Sequence, residues 1–240
     1  MALPVNATPI YSLTVPSSKE VVKFRPFLVK EEKSLLIAQQ SEDASVMIDT
    51  LKGVIKNCIK SDIDVESLAT FDIEYIFTQL RARSVGEFVE LIMSCDEDHG
   101  AQNKLAKVKV SIDLTKLAVT IPENHNKRIE LFEDVGIVMK YPSIDVIDEL
   151  SSIEGSEIDA VFKIIVDCID YIYDSESIYH AKESSKQELT KFIDDLTSEQ
   201  FKKLQNFFET MPKLKHDVNY NCPVCGKAHS VSLEGMESFF

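Results

Sequence analysis

At 240 residues, 44% hydrophobic and 28% charged, the chain is long and apolar enough to fold around a real core, as one large domain or two small ones. Its formal charge of -14 repels phosphate backbones, so no nucleic-acid partner is expected. No run approaches the roughly 20 apolar residues of a membrane helix. The opening "MALPVNATPIYSLTVPSSKE" lacks a basic start followed by an apolar run, so neither a membrane nor a secretory route is expected and the cytosol is.

In chain order, "YSLTV" and "EVVKF" are short β-rich runs around the turn-like "PSSKE" and predict a hairpin. "RPFLVKEEKSLLIAQQ" predicts a helix with Pro26 in its first turn. In "SVMIDTLKGVIKNCIKSDI", Met47, Leu51, Val54, Ile55 and Cys58 fall on one helical stripe. "TFDIEYIFTQLRARS" predicts a further helix, capped by Thr70 and turning Ile73, Ile76, Phe77 and Leu80 inward.

The period then changes to two. "VGEFVELIM" and "AKVKVSIDL" read as strands, the second alternating Val108, Val110, Ile112 and Leu114 with polar residues, paired across "SCDEDHGAQNK". "LAVTI", "RIELF" and "VGIVMKYP" extend this β-rich middle. "SEIDAVFKIIVDCIDYIYD" reads as one long helix with Ile158, Val161, Phe162, Ile165, Cys168 and Ile169 on a broad face, and "YHAKESSK" as a polar loop. "LTSEQFKKLQNFFETMP" carries a capping box in Thr197 and Gln200, a stripe of Phe201, Leu204, Phe208 and Met211, and Pro212 as its stop. "KLKHDVNYNCPVCGKAHSVSL" closes the chain as a hairpin with two cysteines at its turn.

The pattern is therefore α+β, amphipathic helices packed with small antiparallel sheets and ending in a zinc-ribbon-like knuckle. An N-terminal α+β half over 1–142 and a C-terminal helical half over 143–240 are expected. "VIKNCIKSDIDVESL" resembles "IIVDCIDYIYDSESI", each followed by a helix and a hairpin, so two related helix–helix–hairpin halves are one reading and chance likeness the other.

The seven glycines are too dispersed for a dinucleotide fingerprint, a phosphate loop or a nucleophile elbow. His99, His125, His180, His216 and His229 form no H-E-x-x-H pair, and acidic pairs such as "FEDVG" read as solvated faces. No enzyme is expected. The sharp chemical signal is Cys222-Pro223-Val224-Cys225-Gly226, whose turn can aim two thiolates at one point. His229 and His216 are the candidate further ligands of one structural zinc, with Cys95 and His99 able to supply the second pair if the two hairpins meet. A metal-free knuckle and a redox pair are the competing readings, although a redox C-x-x-C normally opens a helix. Cys58 and Cys168 lie on apolar stripes and read as buried small hydrophobes.

"VKFRPFLVKEEKSLLIA", "TFDIEYIFTQLRARSVGE", "MKYP" and "CPVCG" with "LEGMESFF" together resemble the baseplate hub and hub-assembly protein family of T4-like tailed bacteriophages. The resemblance spans most of the chain. It implies a late viral protein made in the bacterial host cytoplasm, and found in the virion tail if it is a permanent subunit. It implies partners among the tail and baseplate hub proteins, the tape-measure protein included, and a chaperone-like role. On that reading Arg25, Lys30, Arg81, Arg83, Phe239 and Phe240 are candidate partner-binding residues, since arginine suits bidentate contacts and exposed aromatic pairs mark contact sites. An internal salt bridge and a docked terminus are the alternatives.

Overall fold

The computed structural model describes residues 7–41, 43–146 and 157–236. The chain divides into two compact units, Met1–Val65 with Phe71–Thr120 and Lys213–Phe240, and Glu66–Thr70 with Ile121–Pro212. The architecture is α+β, as its periodicities predict. The division is not a single cut near 142, because the C-terminal hairpin returns to the first unit by pairing with a strand near residue 118.

The first unit begins with β1 (Tyr11–Thr14) and β2 (Val21–Phe24), paired antiparallel. Helix α1 (Val29–Gln40) starts beyond Pro26 rather than on it. The reason is local. Glu31 Oε2 accepts from the Leu28 N–H at 2.8 Å, and the Arg25 guanidinium donates to Pro26 O at 2.9 Å, so residues 25–28 stay extended. In α2 (Ala44–Cys58), Asp43 caps the first turn and the predicted stripe buries Leu51, Val54, Ile55 and Cys58. Ile59 then leaves the helix to bridge Phe24. Helix α3 (Thr70–Ser84) buries Ile73, Ile76, Phe77 and Leu80 as expected, although the Thr70 hydroxyl donates to Pro142 O instead of capping. β3 (Phe88–Ser94) and β4 (Lys107–Asp113) form the predicted hairpin, and β5 (Ala118–Thr120) follows.

The second unit is a four-stranded antiparallel sheet backed by helices. β6 (Arg128–Phe132) and β7 (Val135–Met139) make a hairpin, α4 (Glu157–Asp167) follows, and β8 (Ile169–Tyr173) and β9 (Ile178–His180) complete the order β6-β7-β8-β9. The long helix read over "SEIDAVFKIIVDCIDYIYD" thus ends at Asp167, and Ile158 and Val161 are exposed rather than inward. "IDYIY" is rich in branched and aromatic side chains, and pairing with β7 outweighs any continued helical stripe. "YHAKESSK" begins inside β9, and α5 (Lys186–Asp194), which the sequence reading did not single out, follows behind a Ser185–Glu188 capping box. α6 (Ser198–Glu209) starts at Thr197 as predicted and buries Leu204 together with Phe207. These join Ile137, Met139, Ile165, Cys168 and Ile169 in one core, each large side chain contributing about 1.5–3 kcal/mol. His125 is held there between Thr210 Oγ1 at 3.1 Å and the Tyr141 hydroxyl at 3.0 Å, and burial followed by Lys127 lowers its pKa.

The chain then re-enters the first unit. β10 (Lys213–Asn221) pairs with β5 over Lys213–Lys215 and with β11 (Ala228–Glu234) along its length.

One local contact does recur, between the residue that follows a hairpin strand and a cysteine at the end of a later helix. After β1–β2, Ile59 bridges Phe24 and the Arg25 N–H donates to Cys58 O at 3.0 Å. After β6–β7, Ile169 pairs with Met139 and the Lys140 N–H donates to Cys168 O at 2.8 Å.

The first copy is locked by a buried ion pair. Arg25 Nη2 lies 2.9 Å from Glu31 Oε1, and Glu31 is 3% exposed. Burial opposes Glu31 ionisation, but the Arg25 hydrogen bond, the Leu28 N–H and Lys30 outweigh it and lower its pKa from 4.5 to about 2. The stabilisation is complete above pH 4.5 and drains as pH falls toward 2, where the folded-state carboxylate protonates. Glu31→Gln leaves Arg25 buried without its counter-charge and is expected to cost about 3 kcal/mol at neutral pH, read by urea denaturation. Near pH 2 the difference between variant and parent should largely close.

Candidate metal centre

The site is built by two hairpins. In β10, Leu214, His216, Val218 and Tyr220 share one face, opposite Leu233, Val231 and His229 of β11. The other face carries Lys215, Asp217 and Asn219 across from Glu234, Ser232 and Ser230. Leu214, Val218, Tyr220 and Leu233 pack with Val89 and Leu91 of β3 and Val110 and Ile112 of β4, and Ala82 of α3 completes the cluster. The two hairpins therefore lie face to face, and the Tyr220 hydroxyl donates to Ser94 O at 2.7 Å near their tips.

Each tip is shaped by its own backbone. At the second, the Cys222 N–H donates to Lys227 O at 2.8 Å, Gly226 N–H donates to Cys222 O at 2.9 Å, and Val224 N–H points at Cys222 Sγ at 3.4 Å. Gly226 sits at φ 73°, a left-handed position that glycine adopts without strain. At the first, the Cys95 N–H donates to Ala106 O, Asn103 Oδ1 accepts from the His99 N–H at 2.7 Å, and Asp98 Oδ1 accepts from the Gly100 N–H at 2.8 Å.

The tips meet at four side chains. Cys95 Sγ lies 4.0 Å from Cys225 Sγ, and Cys222 Sγ lies 3.5 Å from His99 Nε2. One ligand atom from each of Cys95, His99, Cys222 and Cys225 lies within 4.8 Å of every other. Three soft sulfurs and an imidazole are donors for a tetrahedral metal ion. Beside them Lys227 Nζ reaches Asp96 Oδ1 at 3.1 Å and Glu97 Oε1 at 2.7 Å, tying one loop to the other, and these carboxylates raise its pKa.

The thiols differ in acidity. Burial works against Cys222, but the backbone N–H groups of Cys225 and Val224 and the neighbouring thiols outweigh it and bring its pKa down to about 6. Burial and its hydrogen bonds to Cys222 and Cys225 push Cys95 up to about 11. Cys58 and Cys168 lie fully buried elsewhere, and burial raises them to about 11 and about 12. All five cysteines are free thiols.

All four members of this group are singled out in the sequence, Cys222 and Cys225 as the close pair and Cys95 and His99 as the pair able to join them if the two hairpins meet. His229 is not in it: its ring stacks on Tyr220 at 4.9 Å and its Nδ1 lies 3.6 Å from Asp96 Oδ1, so it forms a separate group with Asp96 and Cys95. His216 belongs to neither group, being opposite Leu233 well down the strand. Cys95 and His99 lie in the loop across which β3 and β4 are expected to pair, and what the structure adds is that this tip meets the second one. Arg25 is turned inward onto Glu31, Lys30 is exposed beside the same carboxylate, and Arg81 is half-buried. Arg83 pairs with Glu87 and lies over the Tyr11 ring. Phe239 and Phe240 fall outside the described residues.

Residues 8–240 match the family model described as T4 bacteriophage base plate protein. The chain belongs to that family. It is a phage baseplate protein, and so acts with other tail or baseplate proteins. No curated protein and no solved structure matches it. No helix of this baseplate protein, among the described residues, is long and apolar enough to cross a membrane.

The ion pair between the loops of this baseplate protein is exposed, and exposed pairs contribute little. Lys227→Met is expected to lower the melting temperature only slightly in dilute buffer and by less in about 1 M salt, measured by thermal denaturation at both ionic strengths.

Proposed function

We propose that this chain is a non-enzymatic assembly factor of the baseplate hub, binding hub or tape-measure proteins in the host cytoplasm in a chaperone-like way. The family match over residues 8–240 carries the reading. The surface supports it. In the first unit, Val29, Leu36 and Ile37 of α1 are exposed while the opposite face buries Glu31 and Ala38. Phe88 and Ile92 project from β3, each 63% exposed, on a strand whose far edge is unladdered among the described residues. Apolar side chains of this size on a chain of charge -14 suit contact with less soluble, basic partners. The exposed Lys30 adjoins the α1 face and is a candidate contact.

Catalysis finds no support at the Cys/His group. Four protein donors around one point leave no open coordination position for a substrate, unlike a catalytic metal site with three.

The second reading is a permanent hub subunit, and the family's description as a base plate protein favours it equally. Quantitative mass spectrometry of purified tails against infected-cell lysate separates the two. An assembly factor should be abundant in lysate and absent from finished tails. A fixed whole-number ratio to other tail subunits would instead make it a resident component.

A further inference from the structure

We infer that Cys95, His99, Cys222 and Cys225 are the four ligands of one structural zinc ion that staples the tips of the two hairpins. This goes beyond the assembly reading and holds whether or not the protein stays in the tail.

Two of the ligand separations match those expected across a tetrahedral ion, and all lie within 4.8 Å. With zinc–sulfur bonds of about 2.3 Å and zinc–nitrogen bonds of about 2.0–2.1 Å, two sulfurs on one ion stand about 3.8 Å apart and a sulfur and nitrogen about 3.5 Å. The observed separations are 4.0 Å for Cys95 Sγ to Cys225 Sγ and 3.5 Å for Cys222 Sγ to His99 Nε2. A disulfide needs sulfurs near 2.05 Å, so the first pair is spaced for a shared ion and not for a bond. The donor set also selects: calcium and magnesium take oxygen ligands, whereas three sulfurs and an imidazole suit zinc.

The backbone prepares the ligands. The Val224 N–H aimed at Cys222 Sγ stabilises charge on that sulfur, and Asn103 Oδ1 accepts from the backbone N–H of His99, fixing the loop from which its Nε2 reaches Cys222 Sγ. Zinc with three thiolates carries one net negative charge, and Lys227 stands beside the site on the same loop as Cys225.

The staple has a clear structural use. The buried cluster beneath it is small, built on Ala82, Ile112, Leu114, Leu117, Leu214 and Val218. Cys95 and Cys225 are 130 residues apart in sequence, so closing them is costly in chain entropy. Small cores of this kind draw on metals for stability.

The test uses the full chain purified under reducing conditions from zinc-supplemented cells, with metal content by elemental analysis and native mass spectrometry. One zinc per chain is expected, retained after dialysis against a chelator by His216→Gln and His229→Gln. Cys95→Ser and His99→Ala should retain less than about a tenth as much. His99→Cys guards against loss by simple unfolding: it should keep the metal, and its cobalt-substituted form should show the stronger thiolate charge-transfer band of a four-sulfur site. A metal-free parent, unchanged zinc in Cys95→Ser and His99→Ala, or loss in His229→Gln as complete as in His99→Ala would each overturn the assignment.

Discussion

The constraint on which the first unit depends is the meeting of two hairpin tips whose cysteines lie 130 residues apart in sequence. β3–β4 forms locally, across one loop, and β10–β11 forms locally across another. Neither hairpin alone buries both its faces, and an isolated two-stranded hairpin is marginal in water. Packing them face to face gives each an apolar partner, and the Cys95, His99, Cys222 and Cys225 side chains meet at the tips, so the C-terminal strand and the N-terminal helices share one unit. The intervening Ile121–Pro212 segment folds around its own sheet meanwhile.

A second constraint acts on the N-terminal part. Arg25, Glu31 and Cys58 lie together and buried, with Arg25 Nη1 3.6 Å from Cys58 Sγ. This ties the end of β2, the start of α1 and the end of α2 at one point. In the second unit the corresponding position after β7 is Lys140, and its backbone alone makes the equivalent bond to Cys168. The contact is thus reinforced by charge around Cys58 and by apolar packing around Cys168.

Much of this was legible from periodicity. Strict alternation in "KVKVSID" and "KLKHDVNYN" gave strands, and the capping box at Thr197 and Gln200 marked the start of α6. The misreadings have physical causes. "DCIDYIYD" continues a helical stripe from α4, and only its partner β7 makes Ile169–Tyr173 a strand. Histidine is ambiguous on any apolar strand face, so His216 and His229 were as plausible as His99 until the loops were placed. Local spacing places Cys95 with His99 in one loop and Cys222 with Cys225 in another, but with His99 123 residues from Cys222 only the fold shows that the loops meet. The sequence leaves Arg25 open between a contact residue and an internal salt bridge, and the fold gives the bridge and its partner, Glu31 in the first turn of α1.

The most direct test of the central claim is zinc K-edge X-ray absorption on the intact chain. The account predicts three sulfurs at about 2.3 Å and one nitrogen at about 2.0–2.1 Å. A shell of two sulfurs and two nitrogens, as a site built from Cys222, Cys225, His216 and His229 would give, or a shell of light atoms only, would contradict it.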